Sequence, residues 1–157
     1  YRNAMKILSS KDRALDALRR LKEVYGGRIV ESWCNRYRFV DVALDRTIDR
    51  RDVDMVLRDY PDLKLWDSGF AYHILERSID KGVGLKAAVD LMNVRVEDVV
   101  AVGDSENDIP MFRVVGFSIA VGDASEDVKR NASLTVNESN GEGFAEAAKL
   151  ILRMKEG

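Results

Sequence analysis

The sequence predicts an α/β protein in two parts: an α+β domain with an antiparallel sheet, followed by part of a parallel sheet. Three observations carry this. Val99-Val100-Ala101-Val102 is a run of small, mostly β-branched residues ended by Gly103, the pattern of a parallel strand covered on both faces. From Lys81 onward, helical and strand patterns alternate, which is the order of a right-handed parallel sheet. Before Lys81 the order is helix, strand, strand, helix, strand, strand, which suits hairpins forming an antiparallel sheet with helices on one face.

Taken in order, residues 1–8 read as a connection. The chain opens on Tyr1 rather than Met, so a trimmed or partial chain is expected. Ser9 or Ser10 can cap a helix with Asp12 in its first turn. Ala14, Leu15, Leu18, Leu21, Val24 and Tyr25 form its apolar stripe, and Gly26-Gly27 stop it. Strands are expected over Arg28 to Trp33 and Arg38 to Leu44, joined as a hairpin by Cys34-Asn35-Arg36-Tyr37. Asp49 caps a second helix with Val53, Val56, Leu57 and Tyr60 inward. Leu63 to Trp66 and Phe70 to Glu76 then make a second strand pair around Asp67-Ser68-Gly69. Residues 9–76 are read as this α+β domain, in which two αββ halves look like a loose duplication.

Beyond it, Leu85, Ala88, Val89 and Met92 mark a helix before the strand at 99–102. A short helix near Pro110 to Val114, a strand from Phe117 to Val121, a helix capped by Ser125 and a short strand at Leu134 to Val136 follow. The last helix, Gly143 to Met154, is expected to turn Phe144, Ala147, Ala148, Ile151 and Leu152 to one face. Three strands are few for a doubly wound sheet, whose ligands bind where the strand order reverses.

Composition narrows the function. The chain has 157 residues, 46% of them hydrophobic, enough for a real core, and 25 basic against 27 acidic residues for a net charge of −2. That balance makes no case for nucleic acid or a membrane surface. No apolar run approaches a membrane span and no signal peptide is visible, so the expected compartment is cytoplasmic. Cys34, the single cysteine, excludes an internal disulfide and is read as a small buried hydrophobe.

The chemistry gathers at Gly103-Asp104-Ser105-Glu106-Asn107-Asp108. Asp104 and Asp108 lie four apart at the carboxyl edge of a buried strand, where both can point at one spot. Two hard oxygen ligands suit Mg²⁺, which takes one or two carboxylates plus phosphate and water; an acidic helix start is the plainer alternative. Lys81 opens a helix, where a cation works against the dipole, so it is a candidate point charge for a phosphoryl group.

This acidic stretch, with Lys81-Gly82 a helix and a strand upstream, resembles the haloacid dehalogenase (HAD) superfamily of phosphohydrolases. The match is closest to the branch with a large α/β cap of the Cof-like type, and within it to the archaeal phosphoglycolate phosphatases. The resemblance implies that 9–76 is the cap and 77–157 the C-terminal half of a HAD-like, Rossmann-like core. It implies that Asp104 and Asp108 are Mg²⁺-site carboxylates, the second held directly or through water. It also implies that Asn107 orients a ligand or the nucleophile with support from Ser105, and that Lys81 binds phosphate. Because the family's cap covers its active site, His73, Asn35, Arg36 and Arg38 are candidates to touch the leaving group; an arginine fork suits a small carboxylate. The loop from Asn137 to Gly143 borders the same strand edge.

The family's attacking aspartate lies in an Asp-x-Asp after a first buried strand. Asp52-Val53-Asp54 is in a helix with no strand before it, and Asp45 closes a strand of the inserted domain, so neither is expected to serve. The implied function is a Mg²⁺-dependent phosphatase of small phosphorylated metabolites. It works through an aspartyl-phosphate whose nucleophile is outside this chain, and phosphoglycolate is the leading substrate. A sugar-phosphate or phosphoglycerate phosphatase is the alternative within the family, and a non-catalytic piece that binds metal or a partner is the alternative outside it. The chain alone is expected to be inactive. Its half-sheet would leave a strand edge that favours a homodimer.

Overall fold

The computed structural model describes residues 5–155, so the first four residues of the expected connection over 1–8 lie outside it. The chain divides into two compact units, Tyr1–Ile79 and Asp80–Gly157. One holds an antiparallel sheet and the other a parallel sheet, each of three strands, the mixed α/β class that the sequence predicts.

The first unit is built on α1 (Asp12–Tyr25), β1 (Asp41–Asp45), α2 (Arg50–Leu57), β2 (Leu63–Asp67) and β3 (Ala71–Glu76), with strand order β1-β3-β2. In α1, Ala14, Ala17, Leu18 and Leu21 are buried at the spacing that puts them on one helical face. Ser10 Oγ accepts from the Asp12 N–H at 3.1 Å, and Gly26, at φ 58°, takes the left-handed turn that ends the helix. Asp49 caps α2 by accepting from the Arg51 N–H at 2.8 Å. Val42, Leu44, Leu63, Tyr72 and Ile74 bury one sheet face in the same cluster as Leu18, Leu21 and Val53. Strand alternation sends His73 to the other face, where Ala43 and Trp66 are its cross-strand neighbours.

The first expected hairpin is not formed as a strand pair. Residues 28–33 keep only a bridge between Glu31 and Leu44, with Ser32 N–H donating to Ala43 O and Asp45 N–H to Val30 O. Trp33–Tyr37 wind into a 3₁₀ turn instead of a hairpin loop. The reason is local. Lys11 Nζ donates to the carbonyls of Asn35 at 3.0 Å and Arg38 at 2.8 Å, closing the turn. The Asn35 carboxamide donates to Ala43 O at 2.9 Å and accepts from Ala43 N–H at 2.8 Å, so a side chain pairs where a strand backbone would.

The second unit runs α3 (Lys81–Met92), β4 (Val100–Gly103), α4 (Ile109–Phe112), β5 (Phe117–Ala120), α5 (Glu126–Asn131), β6 (Leu134–Thr135) and α6 (Asn140–Lys155), with parallel order β4-β5-β6. Ala101, Ile109, Phe112, Ala120, Ala124 and Val128 form one core cluster, and Ile119, Val121, Val136 and Ala147 another. Within the expected face of α6, Ala147 is buried, whereas Phe144 and Leu152 are more than half exposed. Asp80 caps α3 by accepting from the Val83 N–H at 2.9 Å. Gly82 is required by the approach of this helix to the next segment, because a Cβ there would stand 2.5 Å from Pro110 O. Among the described residues no helix is long and apolar enough to cross a membrane.

Candidate active site

The end of β4 carries the acidic turn. Gly103 closes the strand and brings the backbone against the Asp108 carboxylate; a Cβ at 103 would lie 2.5 Å from Asp108 Oδ2. That oxygen accepts from the backbone N–H groups of Asp104 at 3.0 Å and Ser105 at 3.1 Å. The other oxygen, Oδ1, is paired with Lys81 Nζ. Asp108 is 3% exposed, whereas the Lys81 side chain is about half exposed. Burial alone would raise the pKa of Asp108. The hydrogen bond from Lys81 and those from the Ser105 and Asp104 backbones outweigh burial and hold it below the ordinary carboxylate value. The helix that starts at Lys81 thus supplies the cation, and the turn after β4 supplies its buried counter-charge.

Asp104, by contrast, is exposed, and among the described residues its carboxylate has no hydrogen-bond or ion-pair partner. It lines a shallow cleft of about 200 Å³ with Val102, Gly103, Val121, Asn140 and Phe144. Asn140 lies in the stretch from Asn137 to Gly143 expected to border this edge, whereas Phe144, one residue beyond it in α6, was expected on that helix's apolar face and not as lining. In the rest of that stretch, Asn137 and Glu138 N–H groups both donate to Glu146 Oε2 at 2.9 Å, which ties it to α6. Ser105 Oγ lies 2.5 Å from Asn107 Oδ1.

No group of three or more His, Cys, Asp or Glu side chains able to hold a metal is found among the described residues. The donor set still fits a Mg²⁺ ion, which needs only one or two protein carboxylates. Asp104 offers an open carboxylate, and Asp108 offers one already engaged by Lys81 and the backbone.

In the first unit the expected candidates are arranged differently from one another. His73 is 5% exposed. Its Nδ1–H donates to Asp41 Oδ2 at 3.1 Å, its Nε2 lies 3.3 Å from Ser68 Oγ, and its ring packs on Trp66 with centroids 4.9 Å apart. Both ring nitrogens are therefore engaged within the unit. Arg38 also donates to Asp41 Oδ2, at 2.6 Å. Burial alone would raise the pKa of Asp41, but the bonds from His73 and Arg38 hold it below its ordinary value.

The Asn35 carboxamide is spent on Ala43, as described. Arg36 is exposed, with its guanidinium over the rings of Tyr37 and Trp33, 4.8 and 5.7 Å from their centroids, a cation–π arrangement. Cys34 is not the buried hydrophobe expected. It is half-buried beside Ser32 Oγ at 3.0 Å and accepts from Arg38 Nε at 3.2 Å, and these two contacts lower its thiol pKa. The 3₁₀ turn is what folds Arg38 back onto it.

Asp52 and Asp54 lie in α2 and Asp45 ends β1 of the antiparallel sheet. None of the three follows a parallel strand.

A profile of the haloacid dehalogenase-like hydrolases matches residues 51–147. A phosphoglycolate phosphatase of Archaeoglobus fulgidus is 35% identical over 145 residues, covering 92% of this chain and 63% of that protein. One from Methanothermobacter thermautotrophicus is 34% identical over 148 residues, covering 94% and 66%. The chain therefore spans just under two thirds of the length of these relatives. Among solved structures, a Thermoplasma acidophilum protein, 0175, superposes with a TM-score of 0.80 at 23% identity, covering 93% of this chain and 64% of that one. A haloacid dehalogenase-like hydrolase from Bacteroides thetaiotaomicron superposes with a TM-score of 0.60 at 26% identity, covering 73% and 44%.

Proposed function

The chain belongs to the haloacid dehalogenase-like hydrolases, and from that premise we propose that it serves a Mg²⁺-dependent phosphatase whose substrate is phosphoglycolate. The observation that carries the proposal is the Lys81–Asp108 pair set beside the open Asp104 at the end of a parallel strand. This is a cation and a hard carboxylate at the edge where α/β sheets bind ligands. The choice of phosphoglycolate is supported by the curated relatives, which carry that activity in their names.

In this reading Lys81 is a point charge for the phosphoryl oxygens, and Asp108 holds its ammonium in place. Asp104 holds Mg²⁺, with Asp108 contributing directly or through water. The ion, when bound, neutralises charge on the transferring group. Asn107 orients an oxygen of the ligand or of the attacking carboxylate. That carboxylate, which would form the aspartyl-phosphate, comes from outside the described residues. In the first unit, Arg36 is the expected candidate whose guanidinium has no carboxylate partner among the described residues, and it is offered to a substrate carboxylate. His73 and Asn35 act by shaping the surface rather than by contact.

Phosphate release by the gene's complete product tests the proposal, with phosphoglycolate, a sugar phosphate and a phosphoglycerate assayed side by side, with and without Mg²⁺. The expected result is Mg²⁺-dependent release that favours phosphoglycolate, none from the 157-residue chain alone, and loss of release in K81A and D104A. Preference for the sugar phosphate would move the substrate within the family, and no release from any of the three would end the proposal.

A further inference from the structure

We propose that Arg77 guards the open edge of the antiparallel sheet: its guanidinium takes the outward carbonyls of Pro61 and Leu63, and so keeps β2 from pairing with β2 of a second copy of this chain. The parity of the strand sets which groups face outward. Arg77 N–H donates to Asp62 O at 2.8 Å and Ser68 N–H to Ala71 O at 3.0 Å, and between them Lys64 and Trp66 stand opposite Leu75 and His73. Residues of an antiparallel strand alternate between bonding their neighbour and turning away from it. Asp62, Lys64, Trp66 and Ser68 therefore bond toward β3, and Leu63, Leu65 and Asp67 turn their N–H and C=O groups outward.

An edge of this kind is a template for another strand. The sheet's other edge, β1, is closed by the chain itself, since Val30, Ser32 and Asn35 bond the backbone of Ala43 and Asp45. β2 opens instead on a cleft of about 510 Å³, lined in part by Leu57, Leu63, Leu65 and Arg77. Here one exposed side chain closes the edge. Arg77 Nη2 donates to Leu63 O at 2.8 Å and Nε to Pro61 O at 3.2 Å. Leu63 N–H is turned back to Tyr60 O at 2.9 Å, and Pro61 has no N–H to offer.

Two copies of β2 meeting about a two-fold axis at Leu65 would set Leu63 opposite the partner's Asp67. Only the central Leu65 pair could then bond, because the partner's Asp67 N–H would find Leu63 O already taken. The two guanidiniums would also bring like charges to the same edge. Without Arg77, the Leu63 carbonyl of each copy gains a donor, and the ladder lengthens on both sides of its centre. None of this rests on the phosphatase reading.

The test uses the 157-residue chain, with amide exchange at Leu65 and Asp67 followed by NMR at low and high protein concentration. In the wild type both amides are expected to exchange quickly and at the same rate at both concentrations. R77M keeps a long apolar stem and loses the donors. In R77M both amides should gain protection as concentration rises, and self-association by sedimentation should tighten about 5- to 100-fold, the worth of a freed carbonyl on each copy. Adding Leu65→Pro removes the N–H at the centre of the pair, which an edge strand tolerates, and should return R77M to wild-type association.

Protection at Leu65 that rises with concentration in the wild type overturns the proposal outright, whether or not the variants fold. So does a folded R77M whose Leu65 amide stays as fast as in the wild type. Tighter association of R77M that survives Leu65→Pro overturns it too, by placing the contact elsewhere. Association through the parallel sheet is told apart, because it leaves the Leu65 and Asp67 amides unchanged.

Discussion

Asp108 joins two parts of the second unit, since its carboxylate bonds the backbone after β4 and the ammonium at the start of α3. Its folded pKa is lowered, which fixes the sign of its pH dependence. A carboxyl with a folded pKa below its unfolded value, about 3.9, adds stability that is present above that value and drains away as pH falls through the folded pKa. D108N should therefore flatten the acid limb of the stability curve below about pH 4. It should also cost about 1–3 kcal/mol at neutral pH, toward the lower end because Lys81 is half exposed and screened. Urea denaturation across pH measures both, and an unchanged acid limb would count against the assignment. G103A should be destabilising by about 1–3 kcal/mol, since its Cβ has to displace that same buried carboxylate; a thermal melt within a degree of the wild type would contradict this.

The spacing of Asp104 and Asp108 after a β-branched run was legible because strand and turn are local patterns. That Asp108 would be buried and engaged while Asp104 stays open was not. It depends on where Lys81 comes to rest, 27 residues upstream.

At the scale of elements, the second unit keeps the expected order of helices and strands, but not every expected face: α3 buries Gly82, Ala87 and Val89 while Ala88 and Met92 are exposed, and α6 leaves Phe144 and Leu152 exposed. The segment from 28 to 40 departs further. Its β-like composition suggested a strand, yet of the expected first strand only Ile29 is buried, and Trp33 is 76% exposed. With no sheet face to fill, the segment has little reason to extend, and the Asn35 carboxamide takes over the pairing of Ala43. No propensity scale marks an asparagine for that work, since it depends on a partner eight residues away. N35A should leave both Ala43 backbone groups without that partner in a site where Ala43 is 1% exposed, costing about 1–3 kcal/mol. Hydrogen exchange at the Ala43 amide is the direct readout; protection equal to the wild type would refute the strand-like role.

At the scale of the whole molecule, each unit has a core of its own: one cluster runs through Leu21, Leu44 and Ile74, and two others through Val128 and Ile119. Apolar spacing within each helix and strand marks which residues turn inward, so many members of these cores could be read from the sequence, although the clusters join residues as far apart as Leu18 and Ile74. Ile74→Ala empties a fully buried site and should cost about 2–5 kcal/mol, confined to the first unit. Amide exchange should then accelerate from Asp12 through Glu76 while β4 and β5 keep their protection. Loss of protection in both units together would show that they unfold as one cooperative body.

The Lys81–Asp108 pair has a consequence for entropy. A lysine ammonium carries three N–H donors, and one of them is committed to a buried oxygen before any ligand arrives. Fixing such a long, freely rotating side chain forfeits up to about 2 kcal/mol of rotamer freedom. Here that loss falls in the folding reaction, so under the proposed function an anion arriving at Lys81 would meet a side chain already held in place by Asp108.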